Sequence, residues 1–251
     1  MKLNISQRLI EWYDRHKRDL PWRNTRDPYL IWISEIILQQ TRVEQGLPYF
    51  EKFIENFPNV KSLAEADEDE VLKLWQGLGY YSRARNLHNA SKSVMNDHSG
   101  SMPGNYSSLK KLKGVGDYTA AAVASFAYKE AKAVVDGNVI RFISRYFGIE
   151  DEVNSAKGIR QISDAASEIL DKDDPDIHNQ AIMEFGALQC IPSNPDCSSC
   201  PFQNNCFAFN NRSVASLPKK KKALKQKHRY FNFFLFRIDD GFFIEKRTDN
   251  D

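Results

Sequence analysis

Apolar residues in the first two hundred positions recur at helical spacing instead of alternating. Leu63, Val71, Leu74 and Leu78 form one such series, and Ile162, Ala165 and Ile169 form another, as expected of helix faces turned toward a core. Helix starts are predicted at Asp27-Pro28, at the acidic run Asp67-Glu68-Asp69-Glu70 and at Asp173-Asp174-Pro175. Proline has no N–H to leave unpaired there, and carboxylates complement the helix macrodipole. Strand-like alternation is absent before residue 229. The pattern predicts an all-α body of short antiparallel helices without a long-period repeat.

The character changes at SLPKKKKALKQKHR, residues 216–229, a polar and strongly basic stretch predicted to be an exposed linker. Two readings of it stay open, a solvated connector and a segment that contacts phosphate. Beyond it, YFNFFLFRIDDGFFIEKR predicts a short β-hairpin around an Asp-Asp-Gly turn. A lone hairpin is marginal in water, so residues 229–251 read as the opening of a second domain.

One acid breaks the helical pattern. In WISEIILQQT, residues 32–41, Glu35 has Ile31 and Trp32 one turn before it and Leu38 and Gln39 one turn after. Such a carboxylate is either the partner of an arginine, Arg23 for instance, or a desolvated acid that keeps its proton. Raising a glutamate from about 4.3 to about 7 costs roughly 3.7 kcal/mol, within the range that full burial produces. A second acid, Asp136 in AVVDGNVIRFISRYFG, precedes a helix start and is expected to cap it. The dipole and N–H groups there predict a lowered pKa and a fixed anion. One neutral acid beside one anion is the pairing that breaks glycosidic bonds.

Composition narrows the class. With 41% hydrophobic and 27% charged residues, the chain is an ordinary globular one and not a disordered one. No apolar run approaches a membrane span, and the charged N-terminus is unlike a secretory signal. The expected location is the cytoplasm, specifically a bacterial nucleoid, with no membrane partner. A net charge of +2 carries no argument for nucleic acid, which has to come from where the charges sit.

Two local motifs supply that argument. Gly114-Val115-Gly116 lies between two helical stretches, beside Lys110, Lys111 and Lys113. Such a turn is either an ordinary helix–helix connection or a phosphate site whose backbone N–H groups face outward at a helix N-terminus. All four cysteines fall within one short loop, spaced Cys190-x6-Cys197-x2-Cys200-x5-Cys206. A disulfide framework would spread its cysteines along a short secreted chain, so a metal site is the better reading. Only one C-x-x-C is present, so the spacing favours a [4Fe–4S] cluster over zinc.

Together DLPWR, SEIILQQT, WQGLGYYSRARNL, LKGVGDYTAAA, VDGNV and the cysteine spacing resemble the helix-hairpin-helix DNA glycosylases, and within them the MutY-type adenine DNA glycosylases. The resemblance runs from about residue 4 to residue 217. It implies a two-lobed fold with DNA and an extruded base in the cleft. Residues 28–133 would form a six-helix lobe with the hairpin, and 1–27 with 134–217 the iron–sulfur lobe. Residues 218–228 would be the linker, and 229–251 the start of a truncated Nudix-like 8-oxoguanine recognition domain.

The resemblance also implies roles. Glu35 would protonate adenine, most simply at N7, and Asp136 would stabilise an oxocarbenium-like sugar, with Tyr118 and Asn138 beside them. Arg18, Trp22, Arg23, Leu38 and Gln180 match positions of the adenine pocket. Gln40 and Tyr80 match residues that wedge into the duplex, and Lys113, Gly114, Val115 and Gly116 match the DNA-binding hairpin. Lys113 stands where many relatives have proline. Endonuclease III-like relatives carry a lysine nucleophile at the position of Tyr118, so no Schiff base is expected here. The implied partner is double-stranded DNA with an A:8-oxoguanine or A:G mispair, bound by a monomer. Two alternatives are an endonuclease III-like lyase for oxidised pyrimidines and a non-catalytic iron–sulfur DNA-binding module.

Overall fold

The computed structural model describes residues 2–220, Tyr230 and residues 236–242. Among these, the helices in chain order are α1 (Lys2–His16), α2 (Pro28–Ile37), α3 (Val43–Asn56), α4 (Val60–Glu65), α5 (Glu68–Leu74), α6 (Ser82–Asp97), α7 (Tyr106–Leu109), α8 (Asp117–Tyr128), α9 (Gly137–Phe147), α10 (Ala156–Ile169), α11 (Pro175–Leu188) and α12 (Phe207–Asn210). The three predicted helix starts are all found. Asp27 caps α2 by accepting from the Tyr29 N–H at 2.8 Å, α5 opens on Glu68 and α11 opens on Pro175. Residues 28–133 contain seven helical segments, not six, because Asp67 restarts a helix only two residues after α4 ends.

The body is two-lobed. One core is built by α2 to α8, where Trp32, Trp75, Phe50 and Phe53 are fully buried and Leu20 and Trp22 join from the N-terminal side. The other is built by α1, α9, α10 and α11 with Phe202 of the cysteine loop. There the rings of Phe142, Phe185 and Phe202 meet edge to face with centroids 5.1–5.3 Å apart, a geometry that adds to plain apolar burial. α11 packs against α1, α9 and α8, and its Met183 touches both cores. The functional cavity opens along this seam.

A buried polar pair pins α1 to α11. The Ser6 hydroxyl lies 2.7 Å from Nδ1 of His178, which is 1% exposed. Burial holds the His178 pKa down at about 4. The unfolded chain therefore takes up this proton first as the pH falls. The stabilising contribution is complete above about 6.5 and is lost progressively toward pH 4, by at most roughly 3 kcal/mol. Denaturant midpoints measured across that window should diverge between the protein and a His178→Gln variant, the variant losing less on acidification.

The basic stretch 216–229, expected to be an exposed linker, is pinned at its start. Leu217 is 2% exposed, its carbonyl accepts from Arg145 Nε at 3.0 Å, and the Val153 N–H donates to the Lys219 carbonyl at 2.9 Å. An apolar side chain and two available carbonyls outweigh the pull of the neighbouring lysines toward water. Residues 221–229, 231–235 and 243–251, and with them most of the linker and of the Nudix-like reading, lie outside the described residues. Within 236–242, β1 (Arg237–Ile238) pairs antiparallel with β2 (Gly241–Phe242), with Ile238 opposite Gly241. The turn falls at Asp239-Asp240, as the Asp-Asp-Gly signal predicts. No described helix is long and apolar enough to cross a membrane.

Candidate active site

Helix α2 carries Glu35 on its last turn and leaves it 5% exposed. Its one hydrogen-bond donor from a side chain is Tyr118, whose hydroxyl reaches Oε2 at 2.6 Å. Tyr118 is the second residue of α8, so the glycine turn just before it sets where that hydroxyl lies. Burial pushes the Glu35 pKa up to about 7; the charge of Asp136 adds to the rise, while Tyr118 and Arg23 oppose it. Burial also lifts Tyr118 well above the ordinary phenol range, so it stays a donor.

The arginine-partner reading of Glu35 is overturned. Arg23 gives its guanidinium to Glu184, through Nη1 to Oε1 at 3.0 Å and Nη2 to Oε2 at 2.7 Å. Arg18 does the same with Nε at 2.9 Å and Nη2 at 2.7 Å, and adds its backbone N–H at 3.0 Å. Five donors hold Glu184 down at about 2 against the effect of its burial. Arg18 and Arg23 do line the cavity, but their hydrogen bonds are spent on its wall.

Asp136 caps α9 as expected. Oδ1 accepts from the N–H groups of Asn138 at 2.9 Å and Val139 at 2.7 Å, and Oδ2 from Asn138 Nδ2 at 2.7 Å. The predicted lowering of its pKa is not found: burial raises it, and the three donors with Arg141 oppose that rise. Its seat at the helix N-terminus was legible, whereas the desolvation comes from the surrounding walls. The asymmetry between the two acids lies in their partners, three N–H groups on Asp136 against one hydroxyl on Glu35.

Both acids face one cavity of about 190 Å³, lined also by Trp22, Leu38, Tyr118, Asn138 and Gln180. Trp22 is held edge-on against Phe50 at 5.1 Å. Gln180 accepts from the Tyr13 hydroxyl at 2.7 Å, which turns its amide NH₂ end to the remaining space. A wider groove of about 490 Å³, lined by Gln40, Gly116 and Asp117, shares Glu35, Leu38, Tyr118 and Asp136 with the inner chamber. The acids thus stand where an outer cleft narrows into a pocket.

Of the expected DNA-facing residues, Gln40 and Gly116 line the outer groove beside the two acids. Gln40 and Tyr80 are exposed and adopt left-handed backbone, φ +58° and +47°, a conformation rarely held by residues other than glycine. Gly114 has φ +80°, and a Cβ there would come within 2.6 Å of the Asn86 Cβ on α6, so both turn and packing demand glycine. Gly116 opens α8, which has no side-chain cap. Val115 differs from the expectation: its side chain is buried and its N–H donates to the Leu112 carbonyl, so neither is free to meet a phosphate. Lys110 is paired with Asp117, leaving Lys111 and Lys113 as exposed cations beside the turn.

The four cysteines line a separate small apolar space with Phe142, Phe185 and Phe202. Among the described residues no three His, Cys, Asp or Glu side chains converge to hold one metal ion. All four thiols line this one space, and thiolates are ligands both of zinc and of iron–sulfur groups. Burial pushes Cys200 up to about 12 and raises Cys197 and Cys206, so thiolates there need a cationic core. Arg141 joins this loop to the acidic cavity, donating to the Cys190 carbonyl at 2.6 Å, the Gly186 carbonyl and Asn138 Oδ1 at 2.8 Å. Sequence reasoning missed Glu184, Arg141 and Arg83. Only Glu184 left a signal, an acid inside the apolar AIMEFGAL, the same anomaly that singles out Glu35.

Residues 33–168 match the HhH-GPD superfamily of base excision DNA repair proteins, the class that this hairpin, cleft and acid pair define. The chain is 36% identical over 253 residues to the adenine DNA glycosylase of Buchnera aphidicola subsp. Acyrthosiphon pisum, covering 100% of this chain and 72% of that one. It is 41% identical over 209 residues to the adenine DNA glycosylase of Homo sapiens, covering 80% of this chain and 38% of that one. The chain belongs to the adenine DNA glycosylase family within that superfamily. Among solved structures, a thermostable thymine-DNA glycosylase superposes with TM-score 0.77 at 29% identity, over 84% of this chain and 97% of that one. An endonuclease III in a non-covalent DNA complex superposes with TM-score 0.71 over 84% of this chain and 98% of that one; at 22% identity, that likeness concerns the fold alone.

Proposed function

We propose that this protein hydrolyses the N-glycosidic bond of adenine mispaired with 8-oxoguanine or guanine in double-stranded DNA, leaving the strand intact. The observation that carries this is a buried glutamic acid, Glu35, with a pKa of about 7 facing the same cavity as Asp136. At neutral pH such an acid gives up its proton readily. Glu35 donates it to the adenine ring, at N7, and the base leaves as neutral adenine with the bonding pair. Tyr118 fixes the carboxyl through Oε2. Asp136, held by Asn138 and Val139, carries the negative charge that stabilises the oxocarbenium-like sugar. Water then supplies hydroxide to the sugar and its remaining proton returns to the site. Trp22, Leu38 and Gln180 line the pocket for the extruded base, whose walls are set by the Glu184 pairs. With tyrosine at position 118 no amine is there to form a Schiff base, which separates this reaction from the lyase alternative.

Cys190, Cys197, Cys200 and Cys206 would hold a [4Fe–4S] cluster, which serves as a structural staple for the loop. Purified protein should then contain iron and acid-labile sulfide in equal amounts. The reading further places a monomer on cytoplasmic, nucleoid DNA. An A:8-oxoguanine duplex incubated with the protein tests the reaction. Free adenine with breakage only after alkali is expected. Direct nicking would favour the lyase, and tight binding without release the non-catalytic module.

A further inference from the structure

We infer that Arg83 is a positioning residue, tying together the two turns that carry Gln40 and Tyr80 so that both tips meet the duplex as one rigid wedge. The inference rests on the reading that adenine leaves the stack before it is cut.

Arg83 lies near the start of α6, and its guanidinium is inserted between two backbone turns. Nη1 donates to the carbonyls of Ile36 at 3.0 Å and Ile37 at 3.1 Å, and to that of Gln39. Nη2 reaches the carbonyls of Leu78 and Gly79, both at 3.4 Å. The first group belongs to the last turn of α2 and the turn that follows it, at the negative end of the helix dipole. The second belongs to the turn leading to Tyr80. The guanidinium also stacks near the rings of Trp75 at 5.3 Å and Tyr80 at 5.7 Å, and Trp75 Nε1 holds the Gly79 carbonyl at 3.1 Å.

The two tips need such a fixture. Gln40 and Tyr80 both hold positive φ without being glycine, and Tyr80 is 65% exposed, so core packing does not fix its side chain. Backbone in this region persists only where the surroundings over-determine it. Arg83 is the group that both turns share, and its Nη atoms are occupied by carbonyls, so it acts through Gln40 and Tyr80. Lysine cannot replace it, because a point charge with three donors cannot span two separate carbonyl sets.

The test is single-turnover adenine release from two duplexes, one with A opposite 8-oxoguanine and one with an unpaired adenine in a one-base bulge, which leaves the stack easily. Arg83→Ala should slow the paired substrate about 10- to 100-fold and the bulged one far less, since extrusion is the step at stake. Arg83→Lys, the variant of choice should the alanine protein fail to fold, should show the same skew. Adding Tyr80→Ala to Arg83→Ala should cost little beyond the larger single effect, because residues acting as a unit are non-additive. Equal slowing on both duplexes, no slowing on either, or multiplying losses in the double variant would overturn the assignment. Failure of the unaltered protein to release adenine from either duplex would instead sink the proposed function.

Discussion

Glu35→Gln should release adenine about 10²–10⁴-fold more slowly in single turnover, the usual range for losing a positioned general acid. Glutamine keeps the shape and can still accept from Tyr118, but has no proton of suitable acidity. Stability gives the second half of the expectation. The Glu35 pKa rises from 4.5 to about 7 on folding because the side chain is buried. The unfolded chain therefore ionises first as the pH climbs, and the folded state loses up to about 3 kcal/mol between pH 4.5 and 7. Glutamine removes that loss, so the variant should be at least as stable at neutral pH while being nearly inactive. The same group predicts that the unaltered rate declines as the pH passes above about 7. Rapid-quench measurement across pH, with denaturant midpoints for both proteins, checks all three. A variant that cuts at full rate would falsify the assigned donor.

Glu184→Ala should destabilise the fold by about 3–5 kcal/mol, as expected when one partner leaves a buried ionic network and the others stay. Glu184 is 1% exposed and receives donors from Arg18 and Arg23. Without it, Arg23, with a side chain only 15% exposed, remains charged and unpaired. Arg18 at 32% can partly reach water, which moderates its share. The carboxylate pKa of about 2 means that this contribution is present above about 4.5 and is lost as the pH falls toward 2. Glu184→Gln should cost less, because an amide still accepts from one arginine. Urea unfolding measures the loss. A midpoint unchanged in the alanine variant would show that the network holds nothing together.

What was legible in the chain depended on distance along it. Glu35 stood out because its apolar neighbours are one helical turn away, and Asp136 because a cap is a local event. The cysteines announced themselves by spacing alone, whereas Tyr118 is singled out only by the resemblance, at the position where lyase relatives carry lysine. Partners far apart in sequence were not legible: Arg18 and Glu184 are separated by 166 positions, and nothing local assigns one to the other. For the same reason nothing near Arg23 in sequence tells Glu184 from Glu35 as its partner. The direction of the Asp136 shift failed because its cap is made by adjacent residues whereas its desolvation is made by remote ones. Val115 failed for a finer reason, since a turn's geometry decides which N–H is consumed internally.

Arg145 draws together two stretches of backbone at the two ends of the cysteine loop. Its guanidinium holds the carbonyls of Ile191 at 2.7 Å and Pro192 at 2.9 Å together with that of Leu217. Ile191 and Pro192 lie just inside the start of the cysteine loop and Leu217 lies beyond its end, so one side chain clasps the base of that loop shut.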